Sequence, residues 1–196
     1  MPRIRGASIE EHHEMVWADL AEAMRQLLLE RDYDSINMGH IAARAGLARN
    51  TLYNYAPDKS ALVLALTRHA GQPAVERVAA IAECSADPAA ERMREIIAAV
   101  LEAFTDQLVQ LMFRLPFAEG PKGPDSPFHA IVVEIENVVR AGIERGEFRE
   151  VGDVHLAVEL LSGVMRAGAE RIGRDPAVLA ATVRAAREVI LASLAP

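Results

Sequence analysis

Apolar residues recur along most of the chain at intervals of three and four positions, the spacing that places them on one face of an α-helix. The longest of these series occupy residues 9–31, 87–112, 127–146, 153–172 and 175–194. Alternation of apolar and polar residues, which would predict a strand, is not seen in any credible segment. Glycine, proline or a capping residue separates one series from the next. The pattern therefore predicts an all-α protein.

Residues that favour helix ends define the predicted boundaries. Ser8 and Glu11 have the spacing of a capping box, and the later helices are expected to start at the pairs Asp87-Pro88, Ser126-Pro127 and Asp175-Pro176 and at Asp153. We expect a helix that starts near Pro57 to be bent or broken at Gly71 and Pro73. The series from Met93 to Met112 predicts one central helix of about six turns, and residues 114–126 are rich in breakers and predict a surface loop.

The segment that organises the chain is residues 37–62, NMGHIAARAGLARNTLYNYAPDKSAL. Asn37 is a favourable N-cap for a first helix of about two turns, and Gly46 stands where a left-handed C-cap is needed. A second short helix is predicted from about Ala48 to Tyr55, with Leu52 buried. Two short helices joined by so tight a turn predict a helix-turn-helix. The exposed face of the second helix would carry five hydrogen-bonding side chains: Arg49, Asn50, Thr51, Tyr53 and Asn54.

This segment resembles the DNA-binding signature of TetR-type transcriptional regulators. The resemblance rests on Ile41-Ala42, Ala45-Gly46-Leu47, Thr51-Leu52-Tyr53, Tyr55 and Lys59. Ala48 departs from the Ser or Thr that often caps the recognition helix, and Ala56 departs from the usual aromatic residue. The resemblance implies an N-terminal three-helix helix-turn-helix domain for DNA binding, residues 1–68. It also implies a C-terminal helical domain for effector binding and dimerisation, residues 69–196.

The net charge of −7 taken alone argues against a DNA-binding protein, but the charges are unevenly distributed. Residues 35–60 contain Arg44, Arg49 and Lys59 against Asp58 alone. We therefore expect local phosphate contacts rather than a basic domain. Arg3 and Arg5 form either a tail that reaches a minor groove or a disordered terminus.

The resemblance assigns roles within the segment. Thr51, Tyr53 and Lys59 match positions that grip phosphates in TetR-like proteins. Arg49 and Asn50 are the first candidates for contacts with base edges, since Arg suits guanine and Asn suits adenine. The remaining predicted DNA-binding residues are Asn54, Tyr55, Asn37, His40 and Arg44. The expected partner is double-stranded DNA with a palindromic operator, bound by a regulator that is released by a small-molecule effector.

The last two predicted helices each carry an apolar stripe, which is consistent either with core packing or with an interface. The resemblance favours a homodimer formed through a four-helix bundle, because a two-fold axis is needed to read a palindrome. The predicted interface residues are Leu160, Val164, Gly168, Ile172, Val183, Ala186 and Ile190.

An effector cavity is expected among the central helices, with a small and largely apolar ligand. The predicted lining is Phe104, Leu108, Met112, Phe113, Phe117, Phe128, His129 and Met165. The same residues are also consistent with ordinary core packing, since aromatic residues and Met commonly fill cores.

Other functional classes find little support in the sequence. Cys84 is the only cysteine, so an intramolecular disulfide or a multi-cysteine zinc site is excluded, and a reducing cytoplasm is expected. The sequence has neither the paired Glu-x-x-His motifs of a di-iron enzyme nor a phosphate loop or nucleophile elbow, and its histidines lack metal-binding spacing. We expect no enzymatic activity, no cofactor, no metal and no membrane span. The alternative that remains is a helical partner-binding protein without DNA activity.

Overall fold

A computed structural model describes residues 8–114 and 127–196, with the backbone alone at residues 9, 10, 112–114 and 127. These residues form α-helices joined by turns, and no strand occurs among them. The helices are α1 Ile9–Glu30, α2 Met38–Arg44, α3 Arg49–Tyr53, α4 Lys59–Glu83, α5 Ala89–Ala103, α6 Gln107–Arg114, α7 Pro127–Glu144, α8 Val154–Arg174 and α9 Leu179–Leu194. The all-α prediction is confirmed. None of the helices in the described ranges is long and apolar enough to cross a membrane.

The described residues fall into two compact units that meet at Ala70 and Gly71, two residues after the predicted boundary. In the N-terminal unit, α1, α2 and α3 pack around a small core. Its largest members are Leu20, Met24, Ile41, Leu52 and Leu62, all fully buried. At the start of α1, Met15 is 40% exposed, and Val16 is the buried residue of this pair.

The turn between α2 and α3 is built as the sequence predicts. The Asn37 side chain accepts a hydrogen bond from the backbone N–H of His40 at 3.0 Å, which caps α2. Gly46 adopts a φ of 67°, the left-handed conformation that side chains other than glycine rarely take. The Leu47 N–H then donates to the carbonyl of Ala42 at 2.9 Å, which closes the turn.

Helix α4 starts close to the predicted position, but the break that was one predicted outcome at Gly71 and Pro73 does not occur. It begins at Lys59, two residues after Pro57, because the Asp58 carboxylate caps it by accepting from the Ala61 N–H at 2.8 Å. It also runs without a break through Gly71 and Pro73 to Glu83. A proline removes one backbone hydrogen bond from a helix, and here the flanking turns continue despite that loss.

The predicted central helix is two helices. The turn at residues 104–106 ends α5, and the Asp106 carboxylate starts α6 by accepting from the Leu108 N–H at 2.8 Å. The Thr105 hydroxyl donates back to the carbonyl of Glu102 at 2.8 Å, which satisfies a carbonyl at the end of α5. The apolar spacing continues across this turn, and for that reason the pattern alone predicted one helix.

In the C-terminal unit, α5 lies at the centre and packs against α7, α8 and α9. Its inward side chains Met93, Ile96, Ile97 and Leu101 are almost completely buried. Asp153 caps α8 as predicted, by accepting from the Leu156 N–H at 3.0 Å. Helix α9 begins at Leu179 rather than beside Asp175, because Pro176–Val178 form a short 3₁₀ turn first.

Candidate nucleic-acid interface and effector cavity

The outer face of α3 carries the side chains with the strongest hydrogen-bonding capacity in the helix-turn-helix. Arg49, Asn50 and Asn54 are exposed and Tyr53 is 42% exposed, while Leu52 between them is fully buried and anchors the helix. The Arg49 guanidinium lies 5.9 Å from the centre of the Tyr53 ring and 3.4 Å from its hydroxyl. Ala48 precedes the helix without a side-chain cap, as predicted. The N–H groups of Thr51 and Leu52 donate instead to the Ala48 carbonyl, at 2.9 and 3.2 Å.

Tyr55 differs from the other aromatic residue of this segment. It is half-buried, and its ring meets Trp17 edge-on with the ring centres 5.5 Å apart. The His13 ring lies at the same distance on a tilted plane. This packing holds the end of α3 against α1, so Tyr55 contributes to the core of the unit as well as to its surface.

Lys59 is already engaged within the N-terminal unit. Its ammonium group donates to the backbone carbonyl of Tyr33 at 2.9 Å and lies 4.0 Å from the centre of the Tyr33 ring. Burial raises the pKa of the Tyr33 hydroxyl. Lys59 is half-buried, and these contacts fix its position at the first residue of α4.

The three candidates on and before α2 also have intramolecular partners. His40 completes the capping box, with its Nδ1 atom 3.4 Å from the Asn37 N–H. The Arg44 guanidinium contacts the Glu30 carboxylate on α1 at 2.7 Å. This hydrogen bond lowers the pKa of Glu30 and raises that of Arg44. Asn37, His40 and Arg44 thus stabilise the unit's geometry whether or not they touch DNA. The candidates Arg3 and Arg5 lie outside the described residues.

A cavity of about 300 Å³ lies wholly within the C-terminal unit. Apolar side chains form most of its surface. They are Met93, Ile96, Ile97, Val100 and Phe104 from α5, Phe128, Ile131, Val132 and Ile135 from α7, Val158, Leu161 and Met165 from α8, and Ile190 from α9. The Phe104 and Phe128 rings stack in parallel with centres 5.5 Å apart. Such a cavity has the size and polarity of a small-molecule site.

Polar groups enter the cavity from α8 and from the start of α7. They are His155, Glu159, Ser162 and Arg166 on α8 and His129 on α7. The His155 Nδ1 atom lies 2.7 Å from the Glu136 carboxylate, whose other oxygen accepts from Arg140 at 2.8 Å. The hydrogen bond between them raises the pKa of His155 and lowers the pKa of Glu136.

Four of the eight predicted lining residues, Phe104, Phe128, His129 and Met165, border this cavity. Leu108 does not, because its side chain is fully buried elsewhere in the unit. The side chains of Met112 and Phe113 and the whole of Phe117 lie outside the described residues. Of the loop predicted at 114–126, residue 114 is the last residue of α6 and the rest lies outside the described residues. The lining that the sequence analysis missed comes mainly from aliphatic residues of α5 and α7, which look like ordinary core positions in a linear pattern.

The predicted dimer interface requires correction. Five of its seven residues, Gly168, Ile172, Val183, Ala186 and Ile190, are buried inside their own unit and leave little surface for a partner. A Cβ atom on Gly168 would approach side-chain atoms of Leu101 and Thr182 at 3.1 Å, so this glycine serves packing within the chain. Val164 is half-buried and Leu160 is 69% exposed.

A different apolar surface lies on α8 and α9. Leu156 and Val189 are 51% and 54% exposed, and small exposed residues continue the same faces. We call this the outer apolar face: Leu156, Leu160, Gly163 and Ala167 on α8, and Ala181, Ala185, Val189 and Ala192 on α9. Its residues are spaced by four, three and four positions on α8 and by four, four and three on α9. This helical spacing could have revealed the face if the sequence had shown which side of each helix points outward.

Comparison with known proteins finds a family model that matches the helix-turn-helix segment. Residues 20–66 match the family model described as bacterial regulatory proteins, tetR family. The matched range contains α2, α3 and the start of α4, which carry the exposed donors. None of the curated proteins matches the chain. Within the described residues no group of three or more potential ligands could hold a metal ion.

Solved structures share the fold over nearly the whole chain. The transcriptional regulator FadR from Bacillus subtilis, in complex with stearoyl-CoA, has a TM-score of 0.77 and 18% identity over 93% of this chain and 99% of that chain. SmeT of Stenotrophomonas maltophilia, repressor of the multidrug efflux pump SmeDEF, has a TM-score of 0.73 and 17% identity over 93% and 90%. LfrR from Mycobacterium smegmatis, in complex with proflavine, has a TM-score of 0.65 and 18% identity over 94% and 98%. At these identities the likeness establishes the fold.

Proposed function

We propose that this TetR-type regulator represses transcription by binding a palindromic operator as a homodimer, and that a small, largely apolar molecule releases it. The observation that carries the proposal is the exposed donor face of α3, which a buried Leu52 fixes to the rest of the helix-turn-helix. An exposed row of Arg, Asn, Tyr and Asn side chains on a short, well-anchored helix suits the edges and phosphates of a DNA groove.

Within this face we distinguish residues that would contact base edges from residues that would contact phosphates. Arg49 and Asn50 stand at the N-terminal end of α3, the end of a recognition helix that contacts base edges. Thr51, Tyr53 and Lys59 would hold phosphates, and the N-terminus of α4 would add its positive dipole to Lys59. Because the chain carries a net charge of −7, these few contacts must supply the affinity for DNA.

The test is selection of duplex DNA from a random library by the purified protein, followed by gel shifts on the enriched sequence. We expect enrichment of one palindrome and loss of its binding in Asn50→Ala. Arg174→Ala provides a control that removes one exposed cation from the C-terminal end of α8. If no sequence is enriched, the protein is better described as a partner-binding module without DNA activity.

Dimerisation is assigned to the outer apolar face rather than to the buried residues of α8 and α9. Its large side chains Leu156, Leu160 and Val189 are all at least half exposed in the single chain. Between them, Gly163, Ala167 and Ala185 are small enough to let two helices approach closely. A two-fold axis through this face would pair α8 and α9 with their copies in a four-helix arrangement. A dimer with this two-fold symmetry matches a palindromic operator.

Release by an effector would use α4, the helix that begins in the helix-turn-helix unit and ends in the C-terminal unit. Gly71 and Ala74 of α4 border a small void of about 10 Å³ whose other walls include Phe104 and Phe128. The same two rings border the large cavity. A ligand that displaces this aromatic pair would therefore press on α4 and alter the position of the helix-turn-helix. SmeT in complex with triclosan and LfrR in complex with proflavine share this fold, which supports a small-molecule ligand.

The coupling must be reciprocal if it exists, since the change in free energy is shared by both sites. Once a ligand is known, calorimetry with and without operator measures it directly. We expect the operator to weaken ligand binding by the factor with which the ligand weakens operator binding. Equal ligand affinity in both titrations would rule out release through the cavity, while leaving DNA binding intact.

A further inference from the structure

Arg49 and Tyr53 form a contact pair on the outer face of α3. They are four positions apart, so they are neighbours on the surface of the helix. The Arg49 guanidinium carbon lies 5.9 Å from the centre of the Tyr53 ring, which is within the range of a cation–π interaction. The same guanidinium donates through Nη2 to the Tyr53 hydroxyl at 3.4 Å. The ring and the hydroxyl therefore both contact one guanidinium.

The other two cations of the helix-turn-helix segment are held differently. Arg44 is paired with the Glu30 carboxylate, and Lys59 donates to the backbone carbonyl of Tyr33. Both cations are thus occupied within the N-terminal unit. Arg49 contacts a neutral side chain instead, and no carboxylate of the described residues forms an ion pair with it. Its charge therefore remains available to DNA.

The contact leaves each partner the groups that it would use on DNA. A tyrosine hydroxyl has one O–H donor and two oxygen lone pairs. Because the Tyr53 hydroxyl accepts from Arg49, its hydrogen can still be donated to a phosphate oxygen. Arginine has five N–H donors in a planar fork, and the contact with Tyr53 uses one of them. Enough donors remain for the two acceptors on the edge of a guanine.

The ring of Tyr53 also reduces the freedom of the arginine. An exposed arginine samples many rotamers, and binding costs the entropy of ordering it. Arg49 and Tyr53 are both exposed, and the buried Leu52 between them fixes the helix on which they stand. A guanidinium that already rests on the ring before DNA binds loses less entropy in the complex.

We propose that Tyr53 is a positioning residue for base recognition: its ring and hydroxyl hold the Arg49 guanidinium towards a base edge, while its O–H binds the neighbouring phosphate. This inference rests on the proposed function in taking α3 as the recognition helix and Arg49 as a base contact. It goes beyond that function because Tyr53 then contributes to sequence preference through Arg49. A tyrosine that bound phosphate independently would strengthen binding to every duplex alike.

The experiment is a double-mutant cycle with the full chain on two duplexes of equal length, the selected operator and a scrambled sequence. Gel shifts at one salt concentration give the ratio of the dissociation constant on scrambled DNA to that on the operator. We expect Tyr53→Leu to lower this ratio about 2- to 5-fold per half-site, the range of an exposed cation–π contact. Tyr53→Phe retains the ring without the hydroxyl, so it should weaken binding to both duplexes and preserve more of the ratio than Tyr53→Leu.

The decisive comparison uses the Arg49→Ala background. There Tyr53→Leu should no longer change the ratio, because the side chain that it positions is absent. Tyr53→Leu combined with Lys59→Ala is the matched control. It should show the same change in the ratio as Tyr53→Leu alone, since Lys59 contacts Tyr33. Circular dichroism melts check that each variant remains folded, as expected for an exposed side chain.

The inference is overturned if Tyr53→Leu weakens binding to both duplexes equally, or if it changes the ratio to the same extent with and without Arg49. It is also overturned if Arg49→Ala leaves the ratio of the wild type intact, since there is then no base contact to position. In each of these cases the preference of the wild type for the operator still stands. A wild-type protein without that preference would refute the proposed DNA recognition itself.

Discussion

The two units of the chain use their cores in opposite ways. In the N-terminal unit, Leu20, Ile41 and Leu52 are completely buried and the hydrogen-bonding residues of interest stand outside, on α3. In the C-terminal unit, α5, α7 and α8 leave about 300 Å³ unfilled, and the residues of interest face inward. A small unit that presents a surface to DNA needs a rigid interior. A unit that receives a ligand keeps part of its interior unfilled, at a cost in stability.

The comparison also holds within a single helix. Helix α8 has one side buried in its unit, one side on the cavity and one side on the outer apolar face. Gly168, Met165 and Leu160 represent these three sides. The role of an apolar residue in α8 therefore depends on its position around the helix axis, and substitutions on the three sides should have different effects.

The largest expected effect is a charge placed on the buried side of α8. Gly168→Glu would force its side chain against Leu101 and Thr182 and bury a carboxylate, so we expect loss of the folded state, by about 4 kcal/mol or more. Leu160→Glu places the same charge on the outer apolar face and should give a folded monomer. Circular dichroism melts and light scattering distinguish the two results. A folded, dimeric Gly168→Glu protein would refute the assignment of the buried side.

A smaller effect should distinguish the close-packed core of the N-terminal unit from the core of the C-terminal unit, which contains the cavity. Leu52→Ala removes a completely buried side chain from the N-terminal unit and should cost about 2–5 kcal/mol of unfolding free energy. Met165→Ala enlarges an existing cavity and should cost less than about half of that. Trp17 is the only tryptophan and lies in the N-terminal unit, so its fluorescence follows that unit, while circular dichroism follows all helices. Equal losses in urea titrations would contradict the comparison.

On the exposed face of α3 and at the start of α4, residues that contact bases and residues that contact phosphates should respond differently to substitution. Arg49→Ala should cost about 1–3 kcal/mol per half-site on the selected operator and less on a scrambled duplex, if the arginine contacts a guanine. Lys59→Ala should weaken both duplexes alike and flatten the plot of log affinity against log salt by roughly one unit per subunit. Gel shifts at several salt concentrations measure both.

The two DNA-face variants need their own checks. Lys59 also contacts Tyr33, so a melt must first show that Lys59→Ala remains folded. If Arg49→Ala loses affinity equally for the operator and the scrambled duplex, Arg49 contacts phosphate. The contact with base edges is then assigned to Asn50 or Asn54.

The smallest effect concerns pH and the cavity rim. The raised pKa of His155 means that its pairing with Glu136 stabilises the fold fully below the unfolded value of 6.5 and is lost as pH rises through the folded value. Because the pKa of Glu136 is lowered, the stabilisation from the pair is fully present above the unfolded pKa of 4.5. It is lost as the pH falls through the folded pKa. Stabilisation is therefore greatest between these values. His155 is largely exposed, so the effect is small.

His155→Gln tests this pair. Its melting temperature should fall below that of the wild type near pH 5.5, and the difference should shrink as the pH rises through the raised pKa of His155. His69→Gln, at an exposed histidine of α4, controls for loss of a titrating group. A difference between wild type and His155→Gln that is independent of pH would show that the contact does not depend on protonation.

The sequence by itself determined the local features. Ser8, Asn37, Asp153 and Gly46 act at helix ends as predicted, because capping depends on a few neighbouring atoms and on backbone conformation. The helix-turn-helix was predictable for the same reason, since its residue types occur at fixed spacings within one short segment. These interactions lie within a few residues of one another and are visible in a linear pattern.

Only the tertiary structure decided which sides of the later helices face inward. Helix α8 has apolar residues around most of its circumference, so Leu160 and Ile172 look alike in sequence, yet one is 69% exposed and the other is fully buried. Their difference arises from the packing of α5 and α9 against one side. The cavity has the same origin, because a void depends on how several helices fail to fill the space between them. No single residue spacing contains that information.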